Sequence, residues 1–136
     1  YKSGIRAAME FTAANTPVKY QHGVKIDDAY IASYLEGPQV KFGASATENL
    51  NRIYKQKYIL YFLQHEWDAF FECRRTGVPE LPVNPSTNMN TDPSKMLVRW
   101  MYPQTEYDRN NANVMEAIAR QYDGLDNENC VMWLLK

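Results

Sequence analysis

The 136 residues hold only two histidines, two cysteines and six scattered glycines, and each scarcity closes off a chemistry. A zinc-protease helix needs H-E-x-x-H, which projects two imidazoles from one face a turn apart. Here His65-Glu66-Trp67-Asp68 is followed by Ala69, and the other histidine, His22, lies far away in a turn-rich stretch. Cys73 and Cys130 form neither a C-x-x-C nor a zinc spacing. A single bridge between them is allowed, but two partly buried thiols are the simpler reading. No glycine-rich phosphate loop and no G-x-S-x-G occurs. Excess charge of either sign is also missing. Fifteen Lys and Arg against sixteen Asp and Glu give a net charge of -1, without the basic footprint of a nucleic-acid binder or a polybasic membrane-surface protein. No uninterrupted apolar run exceeds the six residues of Tyr58–Leu63, far short of a bilayer span. The chain opens Tyr1-Lys2-Ser3-Gly4, with no basic stretch leading into an apolar one, so no secretory leader is read within it. A processed chain or a fragment has the same look.

What is present is a globular composition, 45% hydrophobic and 13% aromatic, with tyrosine dominant. That is too apolar for disorder and long enough to bury a core. Seventeen Asn and Gln outnumber the acids. Amides and tyrosines suit neutral polar ligands, and they equally suit irregular loops.

Helical spacing recurs along the chain. Ile5, Ala8, Met9 and Thr12 share one face of a helix over 1–15, closed by Asn15-Thr16-Pro17. Tyr30, Ile31, Tyr34 and Leu35 form a stripe on a short helix from Asp27 to Glu36, stopped by Gly37-Pro38. The spacing then predicts one long helix from about Ala46 to Arg75. It opens on the capping-box pattern Ser45-x-x-Glu48 and carries the stripe Ile59, Leu63, Trp67 and Phe70. It ends on Arg74-Arg75, Gly77 and Pro79. At 1.5 Å per residue it would be roughly 45 Å long. Its apolar surface on several sides calls for neighbours.

Leu81 to Ser94, with three prolines, reads as loop, and Met96 to Tyr102 as weakly extended. A second capped helix starts near Asn110–Asn113, with Asn113 and Glu116 as cap, and stops at Gly124. The apolar tail Cys130–Leu135 reads as an extended piece docked on the body. The expected class is therefore mostly α: a long central helix, shorter helices and extensive irregular loops. No internal repeat is present.

Positive support for catalysis is lacking. Glu66, Asp68 and Glu72 lie on one predicted helix, whereas glycoside hydrolysis needs two carboxyl groups facing each other across a sugar. Asp68 and Glu72, four residues apart, repel unless a cation sits between them. Arg52, Lys55 and Lys57 read as a solvated basic face. Trp67, Trp100 and Trp133 with the tyrosines suggest a sugar-stacking platform. Trp67 belongs more simply to the core stripe, while the role of Trp100, Tyr102 and Tyr107 stays open.

Two linked stretches resemble a known family. Gln56-Lys57-Tyr58-Ile59-Leu60-Tyr61-Phe62-Leu63-Gln64 leads to Asp68-Ala69 and then Arg74-Arg75-Thr76-Gly77-Val78-Pro79. Arg99-Trp100-Met101-Tyr102-Pro103-Gln104-Thr105-Glu106-Tyr107 leads to Asn110, Asn113 and Ala117. In this order they resemble the C-terminal hallmark of the SusD/RagB family, with Tyr1, Gly4-Ile5 and Tyr34-Leu35 resembling the approach to it. The resemblance implies a mostly helical outer-membrane lipoprotein of Bacteroidetes-type bacteria. Such proteins sit at the cell surface as lids on a SusC-like TonB-dependent transporter and capture oligosaccharides or other nutrients. It implies no catalysis, no cofactor and no metal. Residues 1–136 would be the C-terminal region. The lipid anchor and the N-terminal helix pairs of tetratricopeptide type would lie outside it. The motif residues look structural, so the ligand-binding residues stay unknown. The alternative is a helical scaffold or protein-interaction domain without glycan binding.

Overall fold

The computed structural model describes residues 1–65 and 67–135 and contains five α-helices and no strand among them. The chain divides into two compact units, Tyr1–Glu80 and Leu81–Lys136.

In the first unit α1 (Lys2–Asn15) is followed by a 3-10 turn (Val18–Tyr20), α2 (Asp28–Glu36), α3 (Ala46–Tyr61) and α4 (Asp68–Thr76). The local signals act as expected. Thr16, forced toward extended backbone by Pro17, ends α1 at φ -87° and ψ 115°. The Asp27 carboxylate accepts the Tyr30 N–H at 3.0 Å, which satisfies one free donor of the first turn of α2. The Ser45 hydroxyl accepts the Glu48 N–H at 3.3 Å and caps α3. Ile31 and Leu35 from α2 meet Ile5 from α1 and Val40 from the following turn in a buried cluster, rimmed by Met9, Ile26 and Tyr34.

The single long helix is not formed. Helix α3 stops at Phe62, whose ψ of 121° leaves the helical region, and Leu63 turns left-handed at φ 59°. Helix α4 starts again at Asp68. Lys57 then meets Glu72 at 2.6 Å, and the Arg75 guanidinium lies 5.5 Å from the centre of the Tyr54 ring. Pairs at 57–72 and 54–75 are the pattern of an antiparallel helical hairpin. Folding back supplies the neighbour that a straight apolar helix lacks, at a strain of about 1–2 kcal/mol for Leu63. The predicted stripe is broken accordingly: Leu63 is 91% exposed, and Trp67 is 56% exposed at the start of α4 instead of lying in a core.

The end of α4 follows the sequence reading. Gly77 is left-handed at φ 69°, and its N–H returns to the Cys73 carbonyl at 2.8 Å. The Thr76 hydroxyl donates to the Glu72 carbonyl at 2.7 Å and accepts the Val78 N–H at 3.1 Å. The Val78–Pro79 peptide is cis. A Cβ at Gly77 would meet no atom within 4 Å, so a substitution is penalised by backbone strain and not by collision. Gly77→Val should therefore lower stability by at least about 1 kcal/mol, read as a lower melting temperature; an unchanged melting temperature would refute the assignment.

In the second unit Leu81 to Met101 contains neither helix nor strand. Helix α5 (Gln104–Tyr122) begins six residues before the expected Asn110, directly after Pro103. The expected start survives as a kink, because Asn110 has φ -140° and ψ 31° inside the helix. Asn113 donates to the Asn110 side chain at 2.6 Å and so joins the kink rather than capping a helix. Val114, Ile118 and Tyr122 are buried at four-residue spacing, and Asp123 and Gly124, both left-handed, end α5. The tail is not an extended docked piece. Trp133–Leu135 forms a 3-10 turn with Trp133 and Leu134 exposed. No helix of the described residues is long and apolar enough to cross a membrane.

Candidate functional site

Two arrangements stand out, one in each unit. In the second, the Asp126 carboxylate gathers three donors. Arg99 Nη1 donates to Oδ1, while Oδ2 accepts the Tyr102 N–H at 3.0 Å and the Tyr107 hydroxyl at 2.5 Å. Arg99 is only 5% exposed; it also donates to the Asn127 carbonyl at 3.1 Å and stacks its guanidinium 4.2 Å from the Tyr122 ring centre. Burial pushes the Asp126 carboxyl up, but the hydrogen bonds from Tyr107, Arg99 and the Tyr102 N–H outweigh it and hold the group below its ordinary value. The same carboxylate pushes the Tyr107 hydroxyl up and keeps it a donor.

This hub accounts for the R-x-x-Y-P spacing. Arg99 by its side chain and Tyr102 by its backbone are tied to one carboxylate, and Pro103 leads straight into α5. The intervening Trp100 and Met101 are turned outward, 49% and 54% exposed. Tyr102 and Tyr107, left open by sequence, are hub members with partly buried side chains. Asp126 carries no motif signal of its own, since nothing local marks an aspartate 27 residues beyond its arginine.

The amide-rich loops largely consume their own hydrogen bonds. Asn88 donates to the Pro93 and Lys95 carbonyls, Asn90 to the Lys95 carbonyl, and Asn129 accepts the Asp92 N–H. Glu128 accepts the Thr91 N–H and, at 3.2 Å, its hydroxyl.

In the first unit a cavity of about 490 Å³ opens between α1 and α3. Its α1 wall is Ile5, Ala8, Met9 and Thr12, the stripe read from the sequence; its α3 wall includes Ile53, Gln56 and Leu60, with Gln64 just beyond the end of α3. Tyr1 stands at its edge, with its hydroxyl on the Val40 carbonyl at 2.8 Å and its ring stacked 4.2 Å from Phe42.

The remaining candidates among the described residues make local contacts. Glu72 receives Lys57 at 2.6 Å and Arg75 at 3.0 Å, so cations relieve its repulsion with Asp68 and, Arg75 first, hold its carboxyl below the ordinary range. Arg52 pairs with Glu48 at 3.5 Å, which leaves Lys55 as the solvated member of the basic face. His65 is 3.9 Å from Asp68, and Glu66 lies outside the described residues. Cys73 and Cys130 are free thiols. Among the described residues no group of His, Cys, Asp and Glu is placed to hold a metal ion.

Comparison with known proteins places these features. Residues 1–103 match the profile of a SusD-like family described as starch-binding and associating with the outer membrane. No curated protein sequence matches the chain. Among solved structures, a SusD homologue of Bacteroides fragilis is 43% identical, with a TM-score of 0.87 over 100% of this chain and 29% of its own. A second Bacteroides fragilis SusD homologue is 37% identical, with a TM-score of 0.81 and the same coverage of 100% and 29%. A candidate outer-membrane nutrient-binding protein of Bacteroides vulgatus is 31% identical, with a TM-score of 0.78 over 100% of this chain and 28% of its own. The chain thus spans less than a third of the length of these relatives.

Proposed function

Because the chain belongs to this SusD-like family, we propose that it is the C-terminal region of a cell-surface protein that binds glycans for uptake across the outer membrane. The observation that carries the reading is the match of residues 1–103 to a family described as starch-binding. The physical character of the chain supports it. Near-zero net charge suits neutral sugars.

In this reading the protein captures and does not convert its ligand. Its partner is a SusC-like TonB-dependent transporter. It is held at the surface by a lipid anchor that, with helix pairs of tetratricopeptide type, belongs to the part of the protein outside these residues. Calorimetry of the intact parent against starch oligosaccharides, other glycans and peptides tests it. Saturable binding with the ligand recovered unchanged is expected, together with co-purification of a barrel transporter. No binding to any glycan or peptide, alongside a tight partner of another kind, would replace capture with a scaffold role. Turnover of the ligand would replace it with catalysis.

A further inference from the structure

Residues 88–96 form a loop that is cross-tied to itself. Asn88 Nδ2 donates to the Pro93 and Lys95 carbonyls at 2.9 and 2.8 Å, and Asn90 Nδ2 to the Lys95 carbonyl at 2.8 Å. Asp92 accepts the Ser94 hydroxyl at 2.6 Å and pairs with Lys95 at 2.8 Å. Side-chain bonds of this kind give a segment a shape without helix or strand. Two consecutive side chains beyond α5 then hold the loop down. The Glu128 carboxylate accepts the Thr91 N–H and hydroxyl. Asn129 accepts the Asp92 N–H at 2.8 Å and donates to the Met96 carbonyl at 3.3 Å. The end of the loop is held differently. The Val98 and Arg99 N–H groups both donate to the Glu128 backbone carbonyl, at 2.9 and 3.3 Å, and the Arg99 guanidinium is tied to Asp126.

The two anchorages differ in strength for a physical reason. The Arg99 and Asp126 side chains are buried, and parting them strands a charge away from water. The bonds of Thr91 to Glu128 and of Asn129 to Met96 are exposed, so water takes over each partner at little net cost. We propose that residues 88–96 are a hinged flap. The side chains of Glu128 and Asn129 are its latch, and Val98 and Arg99 are its fixed root. It opens as one body while the hub around Asp126 and helix α5 stay closed. The internal bonds of Asn88, Asn90 and Asp92 keep its shape when it is open, and Met89, 98% exposed, travels with it. Local opening falls where backbone bonds are exposed and buried apolar contacts are few. None of residues 88–96 is buried, whereas Val114, Ile118 and Tyr122 anchor α5.

Hydrogen exchange resolved to single amides in the intact parent protein tests this with Glu128→Ala and, separately, Asn129→Ala. Glu128→Ala takes the acceptor from the Thr91 N–H, and Asn129→Ala takes it from the Asp92 N–H. Because the two side chains latch one body, each variant should speed exchange at both amides by at least about tenfold. The Val98 and Tyr102 amides, bonded to the Glu128 carbonyl and the Asp126 carboxylate, should keep their native rates. Acceleration confined in each variant to the amide that lost its own acceptor overturns the proposal, since the two contacts are then independent. Acceleration that spreads to Val98, Tyr102 and α5 overturns it as well, since the unit then opens or unfolds as a whole. Unchanged rates at Thr91 and Asp92 leave no latch and have the same consequence.

Discussion

Asp126→Ala should destabilise the chain by about 3–5 kcal/mol, because it leaves the Arg99 guanidinium buried without its counter-charge. The side chains of Arg99 and Asp126 are 6% and 8% exposed, so water cannot take over as partner. Two further donors, the Tyr102 N–H and the Tyr107 hydroxyl, lose their acceptor in the same step. Urea unfolding measures the effect. Removing the exposed pair Arg120–Glu116, 3.3 Å apart on α5, should change stability by no more than about 0.5 kcal/mol in the same assay. Equal losses for the two pairs would refute the hub. The pH dependence has a definite sign. The folded carboxyl of Asp126 titrates below its unfolded value of about 3.9. Its contribution is therefore complete above that value and is lost as pH falls through the folded one. Asp126→Asn should separate from the native chain near neutrality and converge on it in acid below about pH 4.

Sequence made some of this legible, and the reason differs from element to element. Caps and helix ends were readable because their physics is local. Asp27, Ser45 and Gly77 each act on groups within four residues. The stripe Ile5, Ala8, Met9 and Thr12 was readable because period alone assigns a face, although not what covers it. The break at residues 62–63 was not readable. No glycine or proline marks it, the apolar period runs on through Leu63 to Phe70, and the turn depends on pairings 15 and 21 residues apart. Asp126 is unmarked for the same reason: its donors stand 19 to 27 residues upstream. The sequence points to too late a start for α5 because Asn110 and Asn113 are good cap residues in any context. Here Pro103 had already set the backbone for a helix, leaving Asn110 as a kink. The family motifs carry these long-range pairings in compressed form. Q-K and R-R-T-G-x-P supply both sides of the Lys57–Glu72–Arg75 cluster and its helix end. R-x-x-Y-P supplies two of the three Asp126 donors, Arg99 and the Tyr102 N–H, which is why a resemblance reaches further than periodicity does.

Ile31→Ala should cost about 2–5 kcal/mol, the other large effect expected. Ile31 is 2% exposed and packs in the cluster with Ile5, Leu35 and Val40, so truncation removes apolar burial and leaves a void at the contact of α1 with α2. Three ion pairs flank the same contact: Arg6–Asp28 at 2.7 Å, Lys2–Glu36 at 2.9 Å and Lys41–Glu36 at 2.7 Å. The two lysines, Lys41 first, draw the Glu36 carboxyl down to about 2, yet that group is fully solvated, and such exposed pairs contribute little to stability. Magnitude therefore decides what joins the two helices. Salt near 1 M, which shortens the screening length to about 3 Å, should leave the melting temperature nearly unchanged, whereas Ile31→Ala should lower it by several degrees. Ile31→Val, losing one methylene, should fall between the native chain and the alanine variant, at about 0.5–1.5 kcal/mol. A large fall in salt with a small effect of Ile31→Ala would reverse the assignment and make charge, not the aliphatic cluster, the bond between α1 and α2.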